Sequence, residues 1–475
     1  MRIPACILAF LACLTAPAAW GVDLNKVYGD ALVEDPAMAR ARANLEAVRA
    51  RVVQARAPML PSLGFNYSKE WIDRSFPGSL TFDFDEMGGL VTGPADDESF
   101  DDKYWETRIG WSVFNAPNWF TLKTAKASSN RAEVEYAEAE QDLVRRVLHA
   151  YLDVLEAQDA LQSVESEYAS VSRQREQMQQ RFDVGLAPIT DVLETIAVED
   201  SSYVRLLEAS ALHDAVFEML VTLTGRNYEG LAPLLSDFEV VPPSPLDENT
   251  WVDAVLESNY AIRSAAETVN EAKSQLRVQQ TARLPIVESS WRRSKAVTGG
   301  RSFFGDTIDN EVLGVTISLP IVQGGAMFGR TREARHVLVA AEETLRERRL
   351  HATRDARNHY RAVLTAVSRV YASNKAVASR EAALRATQTG YEVGTRTSVD
   401  VLIVESQVLL ERLRQAAAKY QYIKSLVDLK YLAGSLSSSD LVRLNDSLDR
   451  TRLVEPIQMD YEQLVSCPIN KCDSE

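Results

Sequence analysis

The feature that most restricts the fold is a long stretch without helix-breaking residues. From about residue 119 to residue 182 the chain contains no Pro or Gly, and Ala, Glu, Gln, Leu and Arg dominate. This composition favours α-helix, and a helix of some 64 residues would rise about 95 Å. Because a helix of that length cannot bury itself in one globule, the sequence predicts long helices packed side by side.

Apolar residues in the helical segments recur at three- and four-residue steps, while Glu, Gln, Arg and Lys occupy the opposite faces. This pattern indicates coiled-coil packing with one face in water. The two clearest stripes are Val144, Leu148, Tyr151 and Leu155, and Leu402, Leu409, Leu413, Ala416, Tyr420, Ile423 and Val427.

The chain also carries one pattern twice, with matching residues 209 positions apart over about 75 residues. The beginnings of the copies match at an offset of 224, from Pro61 to Pro285, so the first copy has about 15 extra residues. These fall in the Gly- and Asp-rich stretch 77–103, whose composition predicts a loop. The pairs at the first offset are Tyr151 with Tyr360, Gly185 with Gly394, Asp191 with Asp400, and Gly225 with Gly434.

Each long helix is predicted to end at a glycine. Gly185 and Gly394 suit the left-handed backbone of a helix C-cap, and helical sequence resumes within a few residues. Each copy is therefore predicted to form a helical hairpin whose returning helix has an Asp near its start, Asp191 or Asp400. These carboxylates either complement a helix N-terminus alone or have a further role.

Four segments, near residues 63–71, 108–113, 287–292 and 313–319, alternate between apolar and polar residues. A period of two predicts half-buried strands, and each run has roughly the ten-residue length of a tilted membrane strand. A soluble sandwich shows the same alternation but carries more strands at closer spacing. Four strands in two pairs, followed by helices, favour membrane hairpins.

Four strands cannot close a β-barrel, since the smallest has about eight, and open edges in lipid are costly. The subunit is therefore predicted to oligomerise, and three copies would supply twelve strands. Beyond residue 21 no segment has the 18 consecutive apolar residues of a transmembrane helix. The residues predict a mixed fold of a membrane β-barrel, to which each chain contributes four strands, and long coiled-coil α-helices; the arrangement of these helices as an α-helical barrel is implied by the family resemblance described below.

The first 21 residues have the order of a secretory signal peptide, with Arg2, an apolar stretch over residues 3–14, and small residues before Gly21. We predict cleavage after Gly21; an uncleaved membrane anchor is the alternative. Export leaves two of the four cysteines, Cys467 and Cys472, in a polar tail. An oxidising compartment favours a local disulfide there over a metal site.

Charge and motifs argue against several function classes. A net charge of −15 disfavours nucleic acid as a partner. None of the five His pairs with another ligand at zinc spacing, and neighbouring His213 and Asp214 diverge on a helix. The acidic stretch 83–102 lacks the spacing of a calcium loop, and no phosphate-binding loop is present. We expect no enzyme, no cofactor and no metal.

Residues 181–192 and 391–402 resemble the TolC family of outer-membrane efflux and secretion channels, and stretches 55–61 and 319–325 support the resemblance. The likeness runs from about residue 23 to residue 448. It implies a homotrimer in the outer membrane of a Gram-negative bacterium, with a twelve-stranded barrel in lipid, a helical tunnel in the periplasm and a small α/β equatorial belt. The implied partners are a periplasmic adaptor and an inner-membrane efflux transporter or ABC exporter.

The resulting division has six parts. It comprises a signal peptide (1–21), a first repeat (22–225), a linker and equatorial segment (226–250), a second repeat (251–434), a C-terminal equatorial segment (435–450) and the polar tail (451–475). A soluble periplasmic coiled-coil adaptor is the alternative function. It would lack the four alternating strands and would fractionate without detergent.

The resemblance also implies a gate at the hairpins, with Gly185 and Gly394 as hinges. Carried over by position, Tyr391 would pair with Asp191, and Arg396 would pair with Thr190. Donors would then lie on the second hairpin and acceptors on the first.

Asp400 from three chains would form an acidic ring at the constriction, which attracts cations. The family's second acidic ring falls at Ile403, which is apolar, and Glu405 lies on another face of the helix. We therefore expect a single acidic ring and a weaker cation block.

Overall fold

A computed structural model of the chain describes residues 22–75, 80–84, 90–94, 97–235, 238–300 and 307–450. The predicted signal peptide and the polar tail with Cys467 and Cys472 lie outside these residues. Within the described ranges, none of the helices is both long enough and apolar enough to cross a membrane.

The first copy of the repeat begins with helices α1 (Leu24–Glu34) and α2 (Pro36–Arg56) and a 3-10 turn (Ala57–Met59). Strands β1 (Ser62–Arg74), β2 (Leu80–Phe84), β3 (Leu90–Pro94) and β4 (Glu98–Phe114) follow. The copy ends with α3 (Ala116–Asp183) and α4 (Ile189–Thr224). The uninterrupted helix predicted over residues 119–182 is thus confirmed as α3, at 68 residues.

In its described residues, the second copy has the same order without the two short strands. It comprises α5 (Glu248–Ser258), α6 (Tyr260–Thr281), β5 (Ile286–Thr298), β6 (Thr307–Ser318), α7 (Ala326–Glu392) and α8 (Ser398–Leu432), and α9 (Ser438–Asn445) follows it. Corresponding long helices have nearly equal lengths, 68 residues in α3 and 67 in α7. The boundaries of the six predicted parts stay a prediction.

Packing divides the chain into two compact units, and each takes residues from both copies. The helical unit comprises the described residues of Met1–Arg42, Glu135–Arg263 and Arg348–Glu475. The sheet unit comprises those of Ala43–Val134 and Ser264–Glu347.

The sheet unit contains a four-stranded antiparallel sheet in the order β1-β4-β5-β6. This confirms the four strands predicted from alternation. Leu63, Ile109, Trp291 and Leu313 stand opposite one another in register and form one row across all four strands. Leu63 is 73% exposed and Leu313 is 77% exposed, so the apolar face of the sheet is left uncovered by its own chain.

The loop predicted over residues 77–103 is wrong in part. β2 and β3 pair as an antiparallel hairpin, and β4 already begins at Glu98. Leu80, Phe82 and Phe84 alternate with polar residues, and this alternation is a strand signal. The loop was predicted from Gly and Asp composition alone, and the alternation of apolar and polar residues was overlooked.

The helical unit ties distant segments together near Tyr151. The buried Tyr151 hydroxyl donates hydrogen bonds to the carbonyls of Ala232 (2.7 Å) and Val22 (3.2 Å). The Leu24 N–H donates to the amide oxygen of Asn445 at 2.9 Å, and an isolated bridge joins Leu234 to Leu448. Residues from the two predicted equatorial segments, 226–250 and 435–450, therefore meet.

Asp35 joins the start of α2 to α3. Its carboxylate accepts the N–H of Met38 at 3.1 Å and pairs with the Arg146 guanidinium at 2.6 Å. Burial alone would raise the pKa of Asp35. The hydrogen bond and charge of Arg146, together with the N–H groups of Met38 and Ala37, outweigh burial and hold the pKa below its usual value.

Replacing Asp35 with Asn keeps an oxygen for the helix cap but removes the charge that Arg146 binds. We expect the variant to lose about 1–3 kcal/mol of unfolding free energy at neutral pH. Since folding lowers the pKa of Asp35, its contribution is present above the unfolded-state pKa of about 4 and is lost as the pH falls through the folded value. Urea unfolding of the detergent-extracted protein should therefore show a parent–variant difference that shrinks in acid.

Glu343→Gln is the control for this measurement. Glu343 is exposed, and its ion pair with Arg346 lies within one turn of the same helix. Such surface pairs contribute little. A loss as large as that of Asp35→Asn would contradict the assignment.

Candidate gate at the helical hairpins

Both hairpins turn at the predicted glycines. Gly185 has φ 75° and Gly394 has φ 79°, which confirms the left-handed C-caps. In each turn, the N–H groups of the glycine and of the residue after it return to carbonyls near the end of the helix. The hydrogen bonds run from Leu186 to Arg181 (2.8 Å), Gly185 to Phe182 (2.8 Å), Thr395 to Gly390 (2.8 Å) and Gly394 to Tyr391 (3.0 Å).

The helix that leaves the second hairpin begins with a capping box. The Thr397 hydroxyl accepts the N–H of Asp400 at 3.1 Å, and the Asp400 carboxylate accepts the N–H of Thr397 at 3.0 Å. The Thr397 N–H is the main cause that lowers the pKa of Asp400, followed by the Thr397 hydroxyl and the charge of Arg396. The helix-terminal role expected for Asp400 is therefore present.

The first hairpin is built differently at the same point. Pro188 precedes α4 and provides no side-chain cap, and Asp191 lies in the first turn. The Thr190 hydroxyl donates to the Asp191 carboxylate at 3.3 Å. The two aspartates thus share a position in the repeat but have different local partners.

Tyr391 contacts Arg181 rather than the predicted Asp191. The Arg181 guanidinium donates a hydrogen bond to the Tyr391 hydroxyl and lies 5.6 Å from the centre of its ring. The donor is therefore on the first hairpin and the acceptor on the second, the reverse of the expectation. Arg181 belongs to the motif 181–192, but spacing did not indicate which residue it meets.

Arg396 lies against its own hairpin. A Cβ built on Gly390 would stand 2.9 Å from the Arg396 Cγ, so the missing side chain of Gly390 makes room for the arginine stem. Among the described residues, the Thr190 hydroxyl bonds to Asp191 and not to Arg396. The predicted Arg396–Thr190 link is thus not formed in this structure of one chain.

Polar side chains also connect the long helices along their length. Arg205 pairs with Glu167 at 2.8 Å, which joins α4 to α3. Arg412 pairs with Glu381 at 2.6 Å, which joins α8 to α7. A further set of contacts joins α8 to α3: the Tyr420 hydroxyl with Asp159 at 2.6 Å, and Lys424 with Asp153 at 2.5 Å and Glu156 at 2.7 Å.

Metal ligands are not grouped in the part of the chain that the structure describes. No set of three or more His, Cys, Asp or Glu side chains is placed to hold an ion there.

The model of the outer membrane efflux protein family matches residues 27–226 and 251–435. The chain belongs to this family. It is an outer-membrane efflux channel protein, as the TolC-family resemblance implied, and the two matched ranges cover the two copies of the repeat.

Individual relatives and solved structures agree with that assignment. The outer membrane protein TolC of Vibrio cholerae is 27% identical over 458 residues, which cover 94% of this chain and 98% of that protein. The alkaline protease secretion protein AprF of Pseudomonas aeruginosa is 26% identical over 437 residues, or 91% and 88% of the two chains. The Campylobacter jejuni CmeC outer membrane channel has the same fold, with a TM-score of 0.73 at 16% identity over 94% and 98% of the chains.

Replacing Tyr391 with Phe and Arg396 with Ala together should loosen the second hairpin. The first change removes the hydroxyl that Arg181 binds, and the second removes the positive charge beside Asp400. We expect single-channel conductance in planar bilayers to rise. Tyr371→Phe is the matched control, because that hydroxyl donates to the Val240 carbonyl instead. Unchanged conductance in the double variant would exclude these residues from the gate.

Proposed function

We propose that the protein is the passive exit duct of a tripartite efflux pump or a type I secretion system, and not an enzyme. The observation that carries the proposal is the combination of an uncovered apolar sheet face with long helices that end in closed hairpins. Relatives named for protease secretion, AprF and PrtF, support the secretion branch.

Three copies would complete the sheet. Within the described residues β1 and β6 each pair along one edge only, and unpaired edges in lipid cost several kcal/mol for each polar group. A homotrimer would close twelve strands into a barrel. Leu313, Val315 and Ile317 of β6, which are 67–77% exposed, would then face outer-membrane lipid.

The hairpins would be opened by partner proteins. Val184, Leu186 and Val393 project from the two turns and are 68–78% exposed, so they offer apolar contacts to a periplasmic adaptor. An inner-membrane efflux transporter or ABC exporter would supply the energy. A soluble periplasmic adaptor, the alternative function, would not need the uncovered apolar face of the sheet.

The constriction would be set by Asp400. Its capping box holds the carboxylate at a fixed place on α8, and three chains would bring three carboxylates together. Ile403 is apolar and half exposed, so Asp400 would form the single acidic ring. Gly185 and Gly394 would serve as hinges.

Planar-bilayer recording of the purified protein tests this function. We expect discrete, cation-selective channels from the parent. Asp400→Asn keeps an oxygen for the capping box but removes the charge, so the reversal potential in a salt gradient should move toward that of a non-selective pore. Glu46→Gln is the control, since Glu46 pairs with Arg49 one helical turn away. A parent protein without channel activity would contradict the proposal.

A further inference from the structure

We propose that Glu405 is a further positioning residue of the gate. Its carboxylate ties α8 to α3 and holds the second hairpin closed. We call the contact of Glu405 with Ser170 and Gln174 the latch. The inference rests on the proposed function, because a contact that holds a hairpin closed matters only in a conduit that opens.

Glu405 is engaged through both carboxylate oxygens. The Ser170 hydroxyl donates to Oε1 at 2.8 Å, and the Gln174 side-chain amide donates to Oε2 at 2.8 Å. Ser170 and Gln174 are four residues apart on α3, so they lie on one face of that helix. Among the described residues Glu405 has no ion pair. The link is therefore a carboxylate held by two neutral donors of another helix.

The position of Glu405 on α8 determines which part of the helix this link holds against α3. Tyr420 and Lys424 hold α8 to α3 about 22–29 Å further along the helix, and Lys424 is only 12% exposed between two carboxylates. Removing one partner of such a shielded ion pair is costly. α8 is thus firmly held around Lys424 and more weakly held at Glu405. The hairpin end can separate from α3 while the region of Tyr420 and Lys424 stays in contact.

Neighbouring contacts show that α7 and α8 would move together. Gln407, two residues after Glu405, accepts a hydrogen bond from Arg380 of α7 at 2.7 Å, and Arg412 pairs with Glu381. Between its turn and the region of Tyr420 and Lys424, the α7–α8 hairpin therefore meets α3 through two separate polar links. One joins Tyr391 of α7 to Arg181, and the other joins Glu405 of α8 to Ser170 and Gln174.

Glu405, and not the nearby Ile403, supplies the polar contact at this level of α8. Ile403 carries no charge or hydrogen-bonding group, so it cannot form a polar contact of its own. Glu405 is two residues further on, which turns it to another face of α8. That face meets α3. The acid thus acts between two helices of one chain rather than at the constriction.

Conductance of Glu405→Gln in planar bilayers tests the latch. The amide keeps the shape of the side chain, but the negative charge that strengthens the bonds from both Ser170 and Gln174 is lost, and Gln174 must turn its own amide round to stay paired. Weakening both bonds in this way should raise the open-to-closed ratio by roughly tenfold. Glu411→Gln is the matched control, because Glu411 is on the same helix and pairs with Arg414 of α8 itself.

Exchanging the side chains at positions 405 and 174 should restore the link between α8 and α3. In Glu405→Gln with Gln174→Glu, the amide at 405 donates to the carboxylate at 174, so the link is restored with the opposite polarity. We expect conductance to return to the parent value. Combining Glu405→Gln with Tyr391→Phe should raise it above either single variant, since two separate links are lost.

The outcomes separate the latch from a merely structural role. If Glu405→Gln lowers the melting temperature of the detergent-extracted protein but leaves conductance at the Glu411→Gln value, the latch is refuted. Equal conductance in both variants with unchanged stability refutes it as well. If the parent forms no channels at all, the proposed function fails and the latch fails with it.

Discussion

The backbone groups along the sheet edges are the constraint on which the proposed trimer depends. β1 and β6 each have one neighbour within the described residues, and Leu63 and Leu313 leave an apolar row open across the sheet. An apolar face of this kind in water invites association, and open edges in lipid are more costly still. Joining identical sheets edge to edge would pair the open edges, and lipid would then cover the apolar face.

The two copies of the repeat share a scaffold and differ in the contacts that we propose for the gate. Gly185 and Gly394 form the same left-handed turn. Of the two returning helices, α4 and α8, only α8 begins with a capping box, at Asp400, and the second hairpin carries Tyr391, the acceptor for Arg181. The duplication therefore accounts for paired coiled coils. Because the copies differ, the first hairpin carries the donor Arg181 and the second carries the acceptor Tyr391. One hairpin can therefore bind the other.

Local features of the sequence predicted the elements well. The absence of Pro and Gly from residues 119–182 predicted α3, and alternation predicted β1, β4, β5 and β6. The hairpin β2–β3 was missed because Gly and Asp composition outweighed the alternation around Phe82. The contact between Tyr391 and Arg181 was also missed. Pairing between helices depends on how each is rotated about its axis, and spacing along one helix does not specify which residue it faces.

Native mass spectrometry of the detergent-extracted protein tests the central claim most directly. If open sheet edges drive assembly, the particle must contain three copies of the chain, and no stable monomer should persist at micromolar concentration. A monomer that keeps its fold in detergent would contradict the account, because its sheet would then tolerate both open edges.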